Sequence, residues 1–436
     1  WGENVFKQLS PDLIRRRLTS LFPAELIEDI ARERDVVQRD RKIDITMLVW
    51  TLIMGFAVDG EARTIAGFQR AYSAATNQTV ARSSFYDRFT PALAALLSDL
   101  LEHALEEVAV PHTIAPQFEL FREVLIADAT VFSLHRLLDA FPATHADQSG
   151  AKLHVVQNAT KQMIEQFKLT DERTHESSQL RTGSWLRGRL LLFDLGFYSF
   201  RRFALIDENG GFFLTRLKSN ANPLIVGERR KWRGRAISLP ERRLRDVLGD
   251  LTREIIDVTV EIEFKRRAYA GKQSTDSMEF RVVGVRNEDT DDYHLYVTNL
   301  PDEFTPRQVA ALYGLRWEVE LLFRELKSLY GLEKFQTSDP AIVELLVVAA
   351  LLTLTVSRAL LGVFQELFPE TVFPRERWAK TFRSLAQLIL EDLAQSFGHP
   401  PPNLSELMFH GARQPEKSRL LLSERVSEAF MRRSNA

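Results

Sequence analysis

With 436 residues, 45% of them hydrophobic and 27% charged, the chain is too long for one small core and too apolar for wholesale disorder, so two or three folded domains are expected. A net charge of −2 gives no overall attraction to polyanions and leaves any nucleic-acid binding to local basic stretches. The lack of cysteine excludes disulfides, thiolate metal sites and cysteine nucleophiles, and fits a reducing cytosol.

The stretch beginning at Trp1 is charged and lacks the apolar core of a secretory signal, so no leader is expected there. Up to about residue 115 the pattern is helical, with apolar periodicity in IDITMLVWTLIMGFAV and TPALAALLSDLLEHALEEV. Between them, RTIAGFQRAYSAATNQTVARSSFYDRF reads as two short helices joined by a polar turn, with Ser83 or Ser84 placed to cap the second. That outline fits a helix-turn-helix and equally two helices of a bundle that never touches DNA.

From Glu123 the texture changes to β-rich runs: EVLIAD, TVFSLH, KLHVVQN, MIEQFKLT, LLLFD and GFFLTRLK. These predict three strands close together, a helix around Thr174–Leu180, a fourth strand, a helix around Tyr198–Ile206 and a fifth strand. This is the strand and helix order of the ribonuclease-H-like fold. The last helix of that fold does not follow at once. Residues 220–301 instead hold a basic run and then EIIDVTVEIEF, MEFRVVGVR and YHLYVTNL, which predict a largely β insertion. In that run, Glu228–Asp246, eight basic residues stand against three acidic ones, which suits DNA phosphates but also an ordinary solvated loop. Trp232 within it is placed either to stack on an unpaired base or to fill a core.

Beyond Pro306 helices are predicted over Tyr313–Tyr330, Ile342–Phe364 and Leu385–Ala394. The apolar run LLVVAALLTLTVS is too short to span a bilayer and reads as a buried core helix. GHPPPN breaks the pattern before a short charged tail.

Asp128 closes VLIAD and Asp194 closes LLLFD, so each carboxylate is expected at the carboxyl end of a strand, the edge where open α/β sheets bind ligands. An Asp that merely ends a strand and caps the next turn has the same pattern. A third acid comes from YGLRWEVELLFRELK. At roughly 100° per residue, Arg316, Glu320 and Lys327 fall within about 60° of Tyr313 on one polar stripe. Leu315, Val319, Leu322, Leu326 and Leu329 fall opposite, and Trp317 and Arg324 flank the stripe. Arg316 and Glu320 also have the spacing of a plain surface ion pair. His154 reads as a core or edge histidine, Asp171 as part of a strand-end turn, and His175 as the start of a helix bordering the site.

The spacing Tyr-x2-Arg-x3-Glu-x6-Lys, filled by Tyr313, Arg316, Glu320 and Lys327 and preceded by DATVF and DLGFYSF, resembles the cut-and-paste bacterial DDE transposases of the insertion-sequence-4 family over most of the chain. The resemblance implies an α/β fold: a ribonuclease-H-like catalytic core with a β-rich insertion, plus all-α amino- and carboxyl-terminal regions. It suggests a helical DNA-binding domain over 1–115, the first part of the catalytic domain over 116–219, the insertion over 220–301, the rest of the catalytic domain over 302–370, and a helical region suited to dimerisation over 371–436. It further implies that Asp128, Asp194 and Glu320 hold two Mg²⁺ ions, with Mn²⁺ able to substitute, since three converging carboxylates need hard cations to offset their repulsion. Water would cut one strand at the transposon end, and the freed 3′-hydroxyl would attack the opposite strand to form a hairpin, which is reopened before the 3′ ends join target DNA. Tyr313, Arg316 and Lys327, with Arg324 and Trp317 beside them, would contact that DNA. The expected partners are double-stranded end and target DNA and a second copy in a synaptic homodimer, in the bacterial cytoplasm beside the nucleoid and not at a membrane. Two other readings stand beside it. One is a transposase-derived DNA-binding protein without catalysis; the other is a metal-free hydrolase using two carboxylates as acid and base.

Overall fold

The protein is described from a computed structural model. It covers residues 9–36, 43–58, 64–76, 78, 80–107, 120–134, 139–145, 147–229, 239–266, 274–287, 290, 292–332, 337 and 339–394. Trp232, four of the eight basic residues around it and the tail after residue 394 lie outside the described residues.

Among the described residues, six helices come first: α1 Leu13–Leu21, α2 Ala24–Glu33, α3 Ile45–Ala57, α4 Ile65–Thr76, α5 Arg82–Tyr86 and α6 Pro91–Glu107. Asp44 caps α3 by accepting from Met47 N at 3.0 Å, and from Leu48 to Ala57 every residue of that helix is buried. Helix α5 is a single short turn. Its N-cap is Ala81, so neither Ser83 nor Ser84 caps it; both serines lie inside it, exposed.

Among the described residues, nine strands form one sheet in the order β3-β2-β1-β4-β5-β9-β8-β7-β6. They are β1 Glu123–Leu134, β2 Ser149–Asn158, β3 Met163–Asp171, β4 Arg189–Phe193, β5 Phe212–Arg216, β6 Leu224–Glu228, β7 Ile255–Lys265, β8 Thr275–Arg286 and β9 Tyr293–Thr298. The runs EVLIAD and TVFSLH are therefore one strand, and Asp128 lies inside it rather than at its end. Strand β1 runs parallel to β4, and β4 to β5, whereas β1–β2 and β2–β3 are antiparallel. Helix α7, Phe200–Glu208, makes the crossover from β4 to β5, its first turn capped by Ser199. Between β3 and β4 the expected helix around Thr174–Leu180 is only a 3-10 turn, Glu176–Ser178. His175, Ser177 and Ser178 bond locally there, which favours turns over a continuing helix.

Strands β6–β9 extend the same sheet, because β9 pairs antiparallel with β5 through Leu214↔Thr298. A short helix, α8 Leu244–Leu248, packs on this part. The buried pair Arg281–Asp257, with Nε and Nη2 contacts at 2.8 and 2.7 Å, ties β8 to β7. Arg281 also donates to the carbonyls of Pro301 and Phe304, at 2.7 and 2.8 Å, and so fixes the exit towards the next helices.

Those helices are α9 Pro306–Gly314, α10 Trp317–Arg324, α11 Pro340–Leu367 and α12 Arg375–Ala394. A capping box between Thr305 and Gln308, with Pro306 in the first turn, starts α9. At 28 residues, α11 outruns the short apolar run seen in the sequence. It is long and apolar enough to cross a membrane, yet 83% of its most apolar window is buried inside the protein, as a core helix is. One apolar core joins α1–α6, one face of the sheet and α9–α12; a second core on the opposite face joins α7 and α8. Thr353 in α11 donates to the carbonyl of Ile53 in α3 at 2.7 Å, a buried link between helices from the two ends of the chain.

Candidate active site

Strand alternation decides which side chains share a face. Val124 and Ile126 of β1, with Leu190 and Leu192 of β4, belong to the core beneath α9–α12; Leu125, Ala127, Leu191 and Phe193 belong to the other. Ala127 pairs with Phe193, so Asp128 and Asp194 are the next residues along two adjacent parallel strands and fall on the α9–α12 face. Strand β4 ends there, while β1 continues alongside β2 alone. By the same alternation Arg216, the last residue of β5, joins them, because Leu214 faces that core.

Above this edge the chain is not one continuous helix. Helix α9 stops at Gly314, and Leu315 N to Leu312 O, Arg316 N to Tyr313 O and Glu318 N to Leu315 O make tight three-residue steps through the start of α10. A π-helical turn, Glu325–Leu329, follows α10. The four polar residues therefore do not lie on a single outward stripe. Tyr313 is buried at 6% exposure, its ring 5.2 Å from that of Tyr296 and 5.8 Å from the Arg216 guanidinium. Its hydroxyl has no partner among the described residues, and burial, with Asp194 nearby, pushes it up to about 12.

Arg316 is the hub. Its Nη1 donates to Asp128 Oδ2 at 2.9 Å and to Glu320 Oε1 at 3.2 Å, joining positions 188 residues apart in the chain. Asp128 Oδ1 accepts from the Ala129 amide at 2.8 Å. Burial pushes the Asp128 carboxyl up to about 7; the Ala129 amide and Arg316 oppose this, while Glu320 and Asp194 reinforce it by like-charge repulsion. Burial also works against the Arg316 charge, but Tyr313, Asp128, Glu320 and Asp194 outweigh it and raise its basicity. Asp194 precedes the 3-10 turn Leu195–Phe197 and makes no side-chain cap bond, leaving its oxygens for other work.

Lys327 sits in the π turn and donates to the Val131 carbonyl of β1 at 2.7 Å. Trp317, 53% exposed, and Arg324 lie on the open side of α10 with Glu320. His154 pairs across from Ala129 and so lies on the other face of the sheet from Asp128. There its Nε2 bonds Thr170 Oγ1 at 2.9 Å, and burial pushes it down to about 4, leaving it neutral. Asp171 accepts from Thr174 N and Oγ1 at 3.0 and 2.7 Å in the turn ending β3, and His175 caps the short 3-10 turn. Two features were missed in the sequence. One is Arg216, although a charged residue ending a strand is the same signal that drew attention to Asp194. The other is a pair of buried acids, Glu318 and Glu325, set seven apart on the leucine-rich face of the Glu320 helix.

Among the described residues no three His, Cys, Asp or Glu side chains stand in ready-made ligand geometry. The donor chemistry nevertheless suits hard divalent cations: carboxylates share one face at a strand edge, and Asp128 is held above its usual range by burial and by neighbouring carboxylates whose repulsion a cation would relieve.

Residues 119–356 match the family described as Transposase DDE domain, more than half of the chain. The chain belongs to the DDE transposase family. Its activity is DNA transposition, a polynucleotidyl transfer with endonucleolytic cleavage of DNA. The transposase is 23% identical over 368 residues to the transposase for insertion sequence element IS231E of Bacillus thuringiensis subsp. finitimus, covering 76% of this chain and 74% of that one. With the IS231C transposase of Bacillus thuringiensis subsp. berliner it shares 25% identity over 370 residues, 76% and 75% of the two chains. A cryo-EM structure of the piggyBac transposase synaptic complex with hairpin DNA aligns over 98% of this transposase and 87% of that chain, at 11% identity and a TM-score of 0.49, a likeness too slight to build on.

Proposed function

We propose that Asp128, Asp194 and Glu320 are the catalytic acids of this transposase and hold two divalent ions, Mg²⁺ with Mn²⁺ as substitute. The observation that carries the reading is the Arg316 bridge between Asp128 and Glu320, beside the strand end bearing Asp194. Ions bound there would activate the attacking oxygen and stabilise the leaving one. The protein supplies the rest. Arg316 and Lys327 place positive charge where a scissile phosphate would approach, and the unpartnered Tyr313 hydroxyl is a donor for a phosphate oxygen. Trp317 and Arg324 offer an exposed ring and guanidinium to the DNA alongside.

The finer reading is a member of the insertion-sequence-4 group with a ribonuclease-H-like core over β1–β5, supported by the strand order and by the Tyr313, Arg316, Glu320, Lys327 spacing. In it the β-rich segment 220–301 is an insertion, the helices of 1–115 contribute DNA contacts, and 371–436 contributes to a homodimer that brings two ends together. The substrates are double-stranded transposon ends and target DNA, with a hairpin as the second-strand intermediate, in the bacterial cytoplasm. The test incubates the full chain with the terminal DNA of its own element and Mg²⁺. Nicking that exposes a 3′-hydroxyl and stops in chelator is expected; nicking that persists in chelator would favour a metal-free carboxylate pair and overturn the reading.

A further inference from the structure

The helix that carries Glu320 also carries two acids on its hidden side. Glu318 pairs with Arg375 at the start of α12, and Glu325 pairs with Arg358 of α11; the two glutamates are each 7% exposed. Arg375 reaches on from Nε to Gln162 Oε1 at 2.9 Å, in the β2–β3 turn, where Gln162 takes a φ of 56°. Burial pushes Glu325 up against the pull of Arg358 and Arg375, and pushes Arg375 down.

Buried ion pairs seldom repay their desolvation, so two of them under one short helix are poor stabilisers and good determinants of register. The spacing shows which register they set. Glu318 and Glu325 are seven residues apart and share the inward face. Glu320 stands two residues past Glu318, about 200° round α10, and so points away from it; Lys327 stands two residues past Glu325 and reaches the Val131 carbonyl of β1. The π turn opens at Glu325 itself, whose carbonyl accepts from Tyr330 N at 3.1 Å, and Lys327 lies within that widened turn.

We propose that Glu318–Arg375 and Glu325–Arg358 are positioning pairs that set the rotation of α10 and hold the π turn, so that Glu320 meets Asp128 at Arg316 and Lys327 reaches β1. The inference rests on Glu320 being a metal ligand. Neither pair touches the reacting atoms; both act through the helix.

The test compares Mn²⁺ affinity, measured by calorimetry on the full chain without DNA, between the parent and the double variant Glu325→Met with Arg358→Met. A fold-preserving exchange of the pair for two apolar side chains should leave the thermal midpoint unchanged or higher while Mn²⁺ affinity falls roughly tenfold, as for other residues that orient ligands. A purely structural pair would leave affinity untouched once the midpoint is matched, and that result overturns the proposal. Should the double variant not fold, Glu318→Gln decides alone: it keeps the volume, loses the charge facing Arg375, and should weaken Mn²⁺ severalfold, whereas unchanged affinity is contrary. Glu320→Ala separates the two levels. If it leaves parent binding intact, the ligand assignment fails and the inference with it; if it abolishes binding while the variants bind normally, only the positioning role fails.

Discussion

Asp128 keeps its proton up to about pH 7 in the folded protein but releases it near 3.8 in the unfolded chain. Between those values the folded state binds more protons, so this group lowers stability progressively as pH rises, by up to about 4 kcal/mol above pH 7. Asp128→Asn should therefore raise the thermal midpoint in chelator at pH 8, with the gain shrinking towards pH 4; an equal midpoint at pH 8 would contradict the burial argument. The same proton must leave before the carboxylate can ligate, so Mn²⁺ affinity should climb as pH passes through about 7. Arg281 and Asp257, 1% and 2% exposed, make the opposite case. Arg281→Met takes the guanidinium away from a buried carboxylate and should cost about 3–5 kcal/mol in denaturant unfolding; a loss under 1 kcal/mol would mean that water reaches the pair.

At the scale of elements, local pattern was legible where local physics decides it. The strand end at Asp194, the crossover helix after β4 and the leucine-rich face of α10 all follow from alternation and periodicity. A uniform helical wheel failed between Tyr313 and Lys327, because the tight steps at Leu315–Glu318 and the π turn at Glu325 are imposed by packing against α11, α12 and the sheet. It therefore set Tyr313 on an outward stripe when the residue is buried against Tyr296. Asp128 was expected to end a strand because it closes the apolar run VLIAD, whereas pairing to β2 carries β1 straight through. Close packing also fixes α3 against α4: a side chain at Gly55 would come within 2.5 Å of the Phe68 ring, in a core with little room to yield. Gly55→Val should cost about 2–3 kcal/mol in thermal or denaturant unfolding, and a neutral change would show that the ring moves aside freely.

For the whole molecule, the order of the first five strands could be read from the sequence, but the nine-stranded sheet could not. Nothing local in GFFLTRLK or YHLYVTNL announces that β5 and β9 pair across more than eighty residues. Nor does the sequence reveal that the early helices and α11–α12 share one core, since that contact joins distant segments through apolar faces that any bundle might use. A chain beginning at residue 116 would uncover the apolar face of α11 that α3 and α6 cover, and should be recovered as aggregate rather than as a monodisperse protein. A well-folded, monodisperse product would mean that the two helical regions are independent.

The most direct measurement of the central claim is Mn²⁺ binding to the parent and to Asp128→Ala, Asp194→Ala and Glu320→Ala, with each variant's fold checked by circular dichroism. If these acids share one ion-binding site, each substitution lowers affinity by at least tenfold and end-DNA nicking disappears while DNA binding remains. Parent-like Mn²⁺ affinity in the folded Asp194→Ala protein would show that the three carboxylates do not act as one site.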